Sequence, residues 1–387
     1  MHHARLPISL WLVAGWLAAL SLAHGTAASA MDKLIVRRDG KEVEVVGQTL
    51  VTAQDGGKLL VSRDGMLWRV PPEELVKVDS DAEPFKPFTA KEMESLLEAE
   101  LPDFKIHSTA NYIVCYNTSR AYAQWCGALL ERLYAGFTNY WKQRKFQLEE
   151  PEFPLVAVVF ADKASYREYL KKDVGELSDG IIGYYNMRTN RVTMYDLTGV
   201  EQLRLQGNRG SAAAINAMLS RPEAERTVAT IIHEATHQLA FNCGLQTRYA
   251  DIPLWLSEGI AMYFESPDLK SRAGWRTIGA VNRFRLNGFR GYLSQRPGNS
   301  LGSRLADSKR VRDPRQADNA YHESWALTYF LIRQKPEQFL EYMRVMSKKP
   351  WLVEDDPETR LKEFQKAFGI DLEQTDKEFV RYMQRLR

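Results

Sequence analysis

HEATH, at residues 233–237, sets two histidines four positions apart with a glutamate directly after the first. On a helix four residues make roughly one turn, so the imidazoles of His233 and His237 share a face and one divalent ion can touch both. Glu234 points to the side of that pair, where it can take a proton from a water on the ion without being a ligand. Beyond residue 30 the histidines are His107, His233, His237 and His322, so two of these four occupy the pair. The competing reading is two solvent-facing or core histidines on an ordinary helix.

Zinc held by two imidazoles needs a third protein ligand and an open position for water. The following segment offers LWLSEGIAMYFE, an amphipathic helix carrying Glu258 among Trp255, Leu256, Ile260, Ala261 and Met262. A carboxylate in such apolar company is costly unless it is paired or coordinated. Glu258 is therefore the candidate third ligand, against the alternative of an exposed surface acid. Glu265, two turns further along the same face, is the fallback ligand or a hydrogen-bond partner for a ligating histidine.

The histidine pair must sit on one continuous helix, and Ser220 and Glu223 as a capping box, Pro222 in the first turn and Gly244 as a stop predict that helix over 222–243. Upstream, Thr89 and Glu92 cap a helix ending near Leu101, a strand is expected at 104–116, and Ala123, Leu130, Leu133, Phe137 and Trp141 mark one face of a long helix. Residues 155–160 are an apolar strand-like run, a helix follows around 165–170, and the runs 181–185 and 191–196 flank a polar NMRTN turn as a hairpin. Helical patterns dominate from Ser211 onward. Strands first and helices later predict an α+β domain over 89–387.

Ahead of it, residues 31–71 alternate short β-like runs with Asp39-Gly40, Asp55-Gly56-Gly57 and Asp64-Gly65, which predicts a small all-β meander or SH3-like barrel. Residues 72–88, rich in proline and acids, read as a linker. The first thirty residues carry Arg5, an apolar run and Ala28-Ser29-Ala30, the pattern of a cleaved signal peptide and an exported protein. The apolar run falls short of the roughly 20 residues that span a bilayer, so no stable membrane span is expected after cleavage.

Across the 387 residues, 52 lysines and arginines against 49 acids leave +3, which gives no electrostatic case for nucleic acid. Cys115, Cys126 and Cys243 allow one disulfide at most, with Cys115 and Cys126 able to pair; the other reading is three small buried apolar side chains.

HEATH followed by WLSEGIA resembles the gluzincin branch of the zincin metallopeptidases, the thermolysin-like and peptidase-MA group. More closely, it is similar to an uncharacterised bacterial domain family in which HEATHQL, a later WLSEG and a SWALTYFL-type helix recur. The likeness spans roughly 104–340. It implies a mixed sheet over the HEATH helix, His233, His237 and Glu258 as zinc ligands, Glu234 as general base, and a peptide substrate cleaved through an activated water. It also implies an edge strand, here 191–196, to which an extended substrate adds, and an oxyanion donor, here Tyr321 in preference to His322. Another branch of these enzymes places a third histidine where Cys243 stands, but needs a glycine turn where this chain has Ala240. Thermolysin-like members carry an acid four residues after the ligand glutamate, and this chain has Met262, so support for a histidine must come from elsewhere. Two other readings stay open: a non-catalytic zinc-containing scaffold, and a zinc hydrolase of a non-peptide amide such as a cell-wall linkage.

Overall fold

A computed structural model describes residues 30–175, 181–198, 211–219, 222–265 and 278–387. The leader reading at 1–30 and the capping box at Ser220 fall outside these residues, apart from Ala30. No helix among the described residues is long and apolar enough to cross a membrane.

The fold is α+β, with an N-terminal all-β part and a larger part that ends in helices. β1 (Ala30–Arg38), β2 (Lys41–Thr52), β3 (Lys58–Ser62) and β4 (Leu67–Val70) run as an antiparallel meander, and β5 (Leu75–Pro84) returns to pair with β1. The sheet order is thus β4-β3-β2-β1-β5. Asp39-Gly40 and Gly65 turn at positive φ, as the Asp-Gly signals require. The stretch read as a linker is corrected here: it supplies β5, an edge strand whose Val76 and Val78 stay exposed. Its short apolar alternation was hidden among charges, and charged side chains are what edge strands carry to discourage further pairing.

The second sheet has the order β6-β7-β8-β10-β9. β6 (Lys105–Ser108) and β7 (Tyr112–Tyr116) form a hairpin instead of one strand over 104–116. The turn between them is fixed by Glu131, which accepts from Thr109 Oγ1 and the Asn111 backbone N–H at 2.6 Å each. β8 (Leu155–Phe160) lies parallel to β7 and to β10 (Arg191–Tyr195), while β9 (Gly183–Asn186) closes the sheet antiparallel to β10. Alternate residues of the buried strands feed two cores. Val114, Ala157 and Val159 face α2 (Arg120–Gln143) and the later helices, whereas Ile113, Cys115, Val156 and Val158 face α1 (Ala90–Glu100) and α3 (Lys163–Val174). Cys115 and Cys126 therefore sit in different cores as free thiols, and the disulfide alternative is set aside.

After α4 (Ala212–Leu219), the HEATH helix is α5 (Pro222–Asn242), close to its predicted span, and Gly244 ends it at φ +73°. α6 (Leu254–Phe264) follows, then α7 (Arg283–Tyr292), α8 (Ser300–Ala306), α9 (Lys309–Arg312) and α10 (Ala317–Gln334). α11 (Pro336–Met346), α12 (Pro357–Phe368) and α13 (Leu372–Arg385) complete the chain. Gly259 of the WLSEG run is where α6 and α10 touch: a Cβ there would lie 2.0 Å from Thr328 Oγ1 and 2.8 Å from the Ser324 carbonyl. Only a residue without a side chain lets α6 approach closely enough to turn Glu258 toward α5.

Candidate metal centre

Three side chains meet where α5 and α6 converge. His233 Nε2 lies 3.1 Å from Glu258 Oε2 and 3.1 Å from His237 Nε2, and His237 Nε2 lies 3.7 Å from Glu258 Oε1. With zinc bonds of 2.0–2.2 Å, the edge of a ligand tetrahedron is about 3.4 Å, so these separations surround a point within reach of all three groups. Among the described residues, His233, His237 and Glu258 are the one group of three or more potential ligands close enough to hold an ion. Their side chains are 2, 11 and 12% exposed, which leaves one side of the triad reachable.

The histidines are held from behind. Glu265 Oε1 accepts from His233 Nδ1 at 2.8 Å, which turns the Nε2 lone pair toward the shared point. Glu265 in turn accepts from Asn282 Nδ2 at 3.0 Å and Arg285 Nη2 at 3.2 Å. His237 Nδ1 lies 3.5 Å from Ser257 Oγ, which donates to the buried Gln246 Oε1 at 3.0 Å. Glu265 thus stands behind a histidine and outside the group of three, and it makes a contact to His233 of the kind that Met262 cannot. Asn282, Arg285, Ser257 and Gln246 were not singled out from sequence; Asn282 announces itself only as the cap of α7, where its side chain accepts from the Arg285 N–H.

Electrostatics without a metal show how strongly these groups are coupled. Burial alone would lower the His233 pKa, but hydrogen bonds to Glu258 and Glu265 raise it to about 10. Burial would raise both carboxyls; instead His237 and His233 hold Glu258 well below the usual carboxylate range, and Arg285 with His233 holds Glu265 down at about 2. These three groups bind a proton where a cation could sit. Replacing Glu265 by Gln should weaken zinc binding by about 10–100-fold, the usual cost of losing a carboxylate behind a ligating histidine, as read by competition with a fluorescent chelator. An unchanged affinity would mean that the 2.8 Å bond to His233 Nδ1 does not orient the ring.

Glu234 stands beside the triad and is not one of its three members. The residue is 4% exposed, and Oε2 accepts the Tyr185 backbone N–H of β9 at 2.8 Å. Burial raises its pKa, partly offset by the nearby histidines, which moves a carboxyl toward the range useful for proton transfer near neutral pH. Gly183, on the same strand, comes so close that a Cβ would lie 3.4 Å from Glu234 Cγ. The edge expectation is corrected at this point: β10, residues 191–195, is flanked on both sides, and the strand beside Glu234 that forms the edge of the sheet among the described residues is β9. A hairpin read from sequence does not reveal which of its strands the parallel neighbour will take.

Residues 227–352 match the family described as Protein of unknown function (DUF1570). No curated protein matches the chain. The matched span contains His233, Glu234, His237, Glu258, Glu265 and Tyr321, but neither β9 nor the N-terminal sheet.

Tyr321 is buried at the start of α10, its hydroxyl pushed to high pKa first by burial and then by the charge of Glu258, with Glu234 also in its field. The Arg285 guanidinium stands 5.8 Å from its ring. His322 points elsewhere: its ring meets Phe284 at 5.2 Å and packs over Gly288 of α7. Cys243 is also away from the triad, fully buried at the end of α5, where burial and Glu149 push its thiol up to about 12. Its rank as rival ligand falls, since the group that closes on His233 and His237 is Glu258.

Proposed function

We propose that this chain is an exported zinc-dependent hydrolase of the gluzincin type that cleaves peptide bonds, with His233, His237 and Glu258 as ligands and Glu234 as general base. The supporting observation is the division of labour at α5: two imidazoles and one carboxylate close on a common point, while the acid between the histidines is not part of that group and accepts a backbone N–H of the neighbouring strand. A site that used metal only to brace the fold would have no need of that second carboxylate. A bound zinc would supply Lewis acidity, acidifying water and polarising a carbonyl.

The protein's own groups do the rest. Glu234 takes a proton from the attacking water and returns it to the leaving nitrogen, for which its raised pKa suits it. Tyr321 keeps its proton throughout and donates a hydrogen bond to the oxygen on which charge develops. The substrate pairs with β9 and not with residues 191–196. Because the Tyr185 N–H points away from β10 to reach Glu234, the Gly183 backbone, two residues back, faces the same side, which no other described strand covers, and there it would pair with an extended chain.

The reading is tested by metal analysis of the protein lacking residues 1–30, followed by cleavage assays on a degenerate peptide library with and without a chelator. One zinc per chain and chelator-sensitive peptide cleavage, restored by added zinc, are expected. Stoichiometric zinc without cleavage of any peptide would overturn the peptidase assignment, and cleavage confined to cell-wall amides would transfer the same chemistry to a different substrate.

A further inference from the structure

The N-terminal sheet reaches the larger part of the protein beside β9, the strand whose Tyr185 N–H holds the Glu234 carboxylate of α5. The β3–β4 turn brings Gly65, at φ +82°, and Leu67 against the β9–β10 turn. The Leu67 N–H donates to the Arg188 carbonyl at 2.8 Å. Arg248, 9% exposed and six residues past the end of α5, donates through Nη1 to the Gly65 carbonyl at 2.8 Å and to the Met187 carbonyl at 3.1 Å. One guanidinium nitrogen thus bridges two turns that are far apart in sequence. Met187 lies two residues after Tyr185, whose N–H holds the Glu234 carboxylate.

Burying a guanidinium is costly, and burial lowers the pKa of Arg248 accordingly. An apolar side chain would seal such a seam at less expense in desolvation. What arginine adds is a rigid, multiply donating fork that fixes the distance between two carbonyls. The rest of the hairpin is also pinned: the Tyr185 ring stacks on Phe241 at 5.8 Å, its hydroxyl donates to Asn190 Oδ1 at 2.9 Å, and Gln238 Nε2 donates to the Asn190 carbonyl at 2.9 Å. The Phe241 and Gln238 contacts come from α5, whereas the Met187–Arg188 end is held by Arg248 and by the Leu67 N–H of the N-terminal sheet.

We propose that Arg248 is a positioning residue, and that through it and the Leu67 N–H the N-terminal β domain holds β9 in the register that aims Glu234. The domain is then part of the scaffold of the catalytic site, and not a binding module carried alongside it. The functional consequence rests on Glu234 being the general base; the mechanical claim does not.

Amide hydrogen exchange on the full chain from residue 31, metal-free, tests the mechanical claim directly. In the wild type, with urea raised below the global transition, the Leu67 and Tyr185 amides are expected to open in one step, since one hydrogen-bonded junction governs both. Arg248→Met should speed exchange at Tyr185 by at least about tenfold, the scale of one lost charge-assisted hydrogen bond. Amides at 235–240 and the zinc stoichiometry should stay as in the wild type, and Arg248→Lys should restore part of the protection. A Tyr185 amide that stays protected after Leu67 has opened in the wild type overturns the proposal, and this arm stands even if the Met variant does not fold. Wild-type exchange at Tyr185 in a folded Arg248→Met protein overturns it equally. If the coupling is found but no hydrolysis is ever detected, the catalytic reading fails while the clamp remains.

Discussion

Glu234→Gln should remove hydrolysis and leave the zinc in place. The amide has the shape of the carboxylate and retains an oxygen able to accept the Tyr185 N–H, so the contact with β9 at 2.8 Å can survive the change. It cannot take up a proton, and loss of a positioned general base costs about 10²–10⁴ in rate. Because His233, His237 and Glu258 are untouched, metal analysis should give the wild-type stoichiometry. In the metal-free protein burial raises the Glu234 pKa, so its carboxyl should titrate at higher pH than that of an exposed glutamate. Below that pKa the carboxyl is protonated and cannot accept. A Gln variant that keeps its rate, with the Tyr185 amide exchanging as in the wild type, removes Glu234 from the mechanism.

Which parts of this site could be seen in the sequence follows from how local each signal is. The HEATH pair is written into one helical turn, and α5 is bounded by residues whose backbone preferences are strong, Pro222 at its start and Gly244 past its end. Glu258 could be found because a charge inside LWLSEGIAMYF contradicts its surroundings, and a contradiction of that kind points to a partner. The central strand of the second sheet was legible as the uninterrupted apolar run LVAVVF, although the two cores it feeds, and which face each residue serves, were not.

What escaped depends on groups brought together from distant segments. Tyr185 acts through its backbone N–H, which every residue but proline possesses, so no residue type marks it. Arg285 and Asn282 reach Glu265 from the far side of residues 266–277, which lie outside the described structure. The order of β9 and β10 is settled by β8 pairing in parallel with β10, a long-range choice that local alternation does not encode. β5 was missed for the opposite reason: Pro71, Pro72 and its many acids gave a strong local signal for a linker, and pairing with β1 overrode it.

Glu258→Ala should abolish stoichiometric zinc binding, and the reason lies in the competition between metal and proton at this site. Structural zinc binding is worth on the order of 10–16 kcal/mol shared among its ligands, so removing one of three protein ligands should weaken affinity by on the order of 10³-fold or more. In the metal-free protein His233 titrates at about 10, above its ordinary value of 6.5, because Glu258 and Glu265 flank it. The sign follows from that elevation: the ion pairs stabilise the folded metal-free chain fully below pH 6.5, and their contribution is lost as pH rises through about 10. Zinc needs the neutral imidazole, so wild-type binding should release a proton, and affinity should rise about tenfold per pH unit through the neutral range. Removing Glu258 takes away the larger of the two carboxylate contributions to His233, so its pKa should drop and this pH dependence should flatten in whatever weak binding remains. Calorimetry in two buffers of different ionisation enthalpy measures both affinity and proton release. Weak zinc binding with a flattened pH slope in the variant separates loss of a ligand from simple misfolding, which would remove the binding without leaving a slope to measure. An Ala variant that binds zinc with wild-type affinity and the same proton release would show that the carboxylate at 3.1 Å from His233 is a counterion and not a ligand.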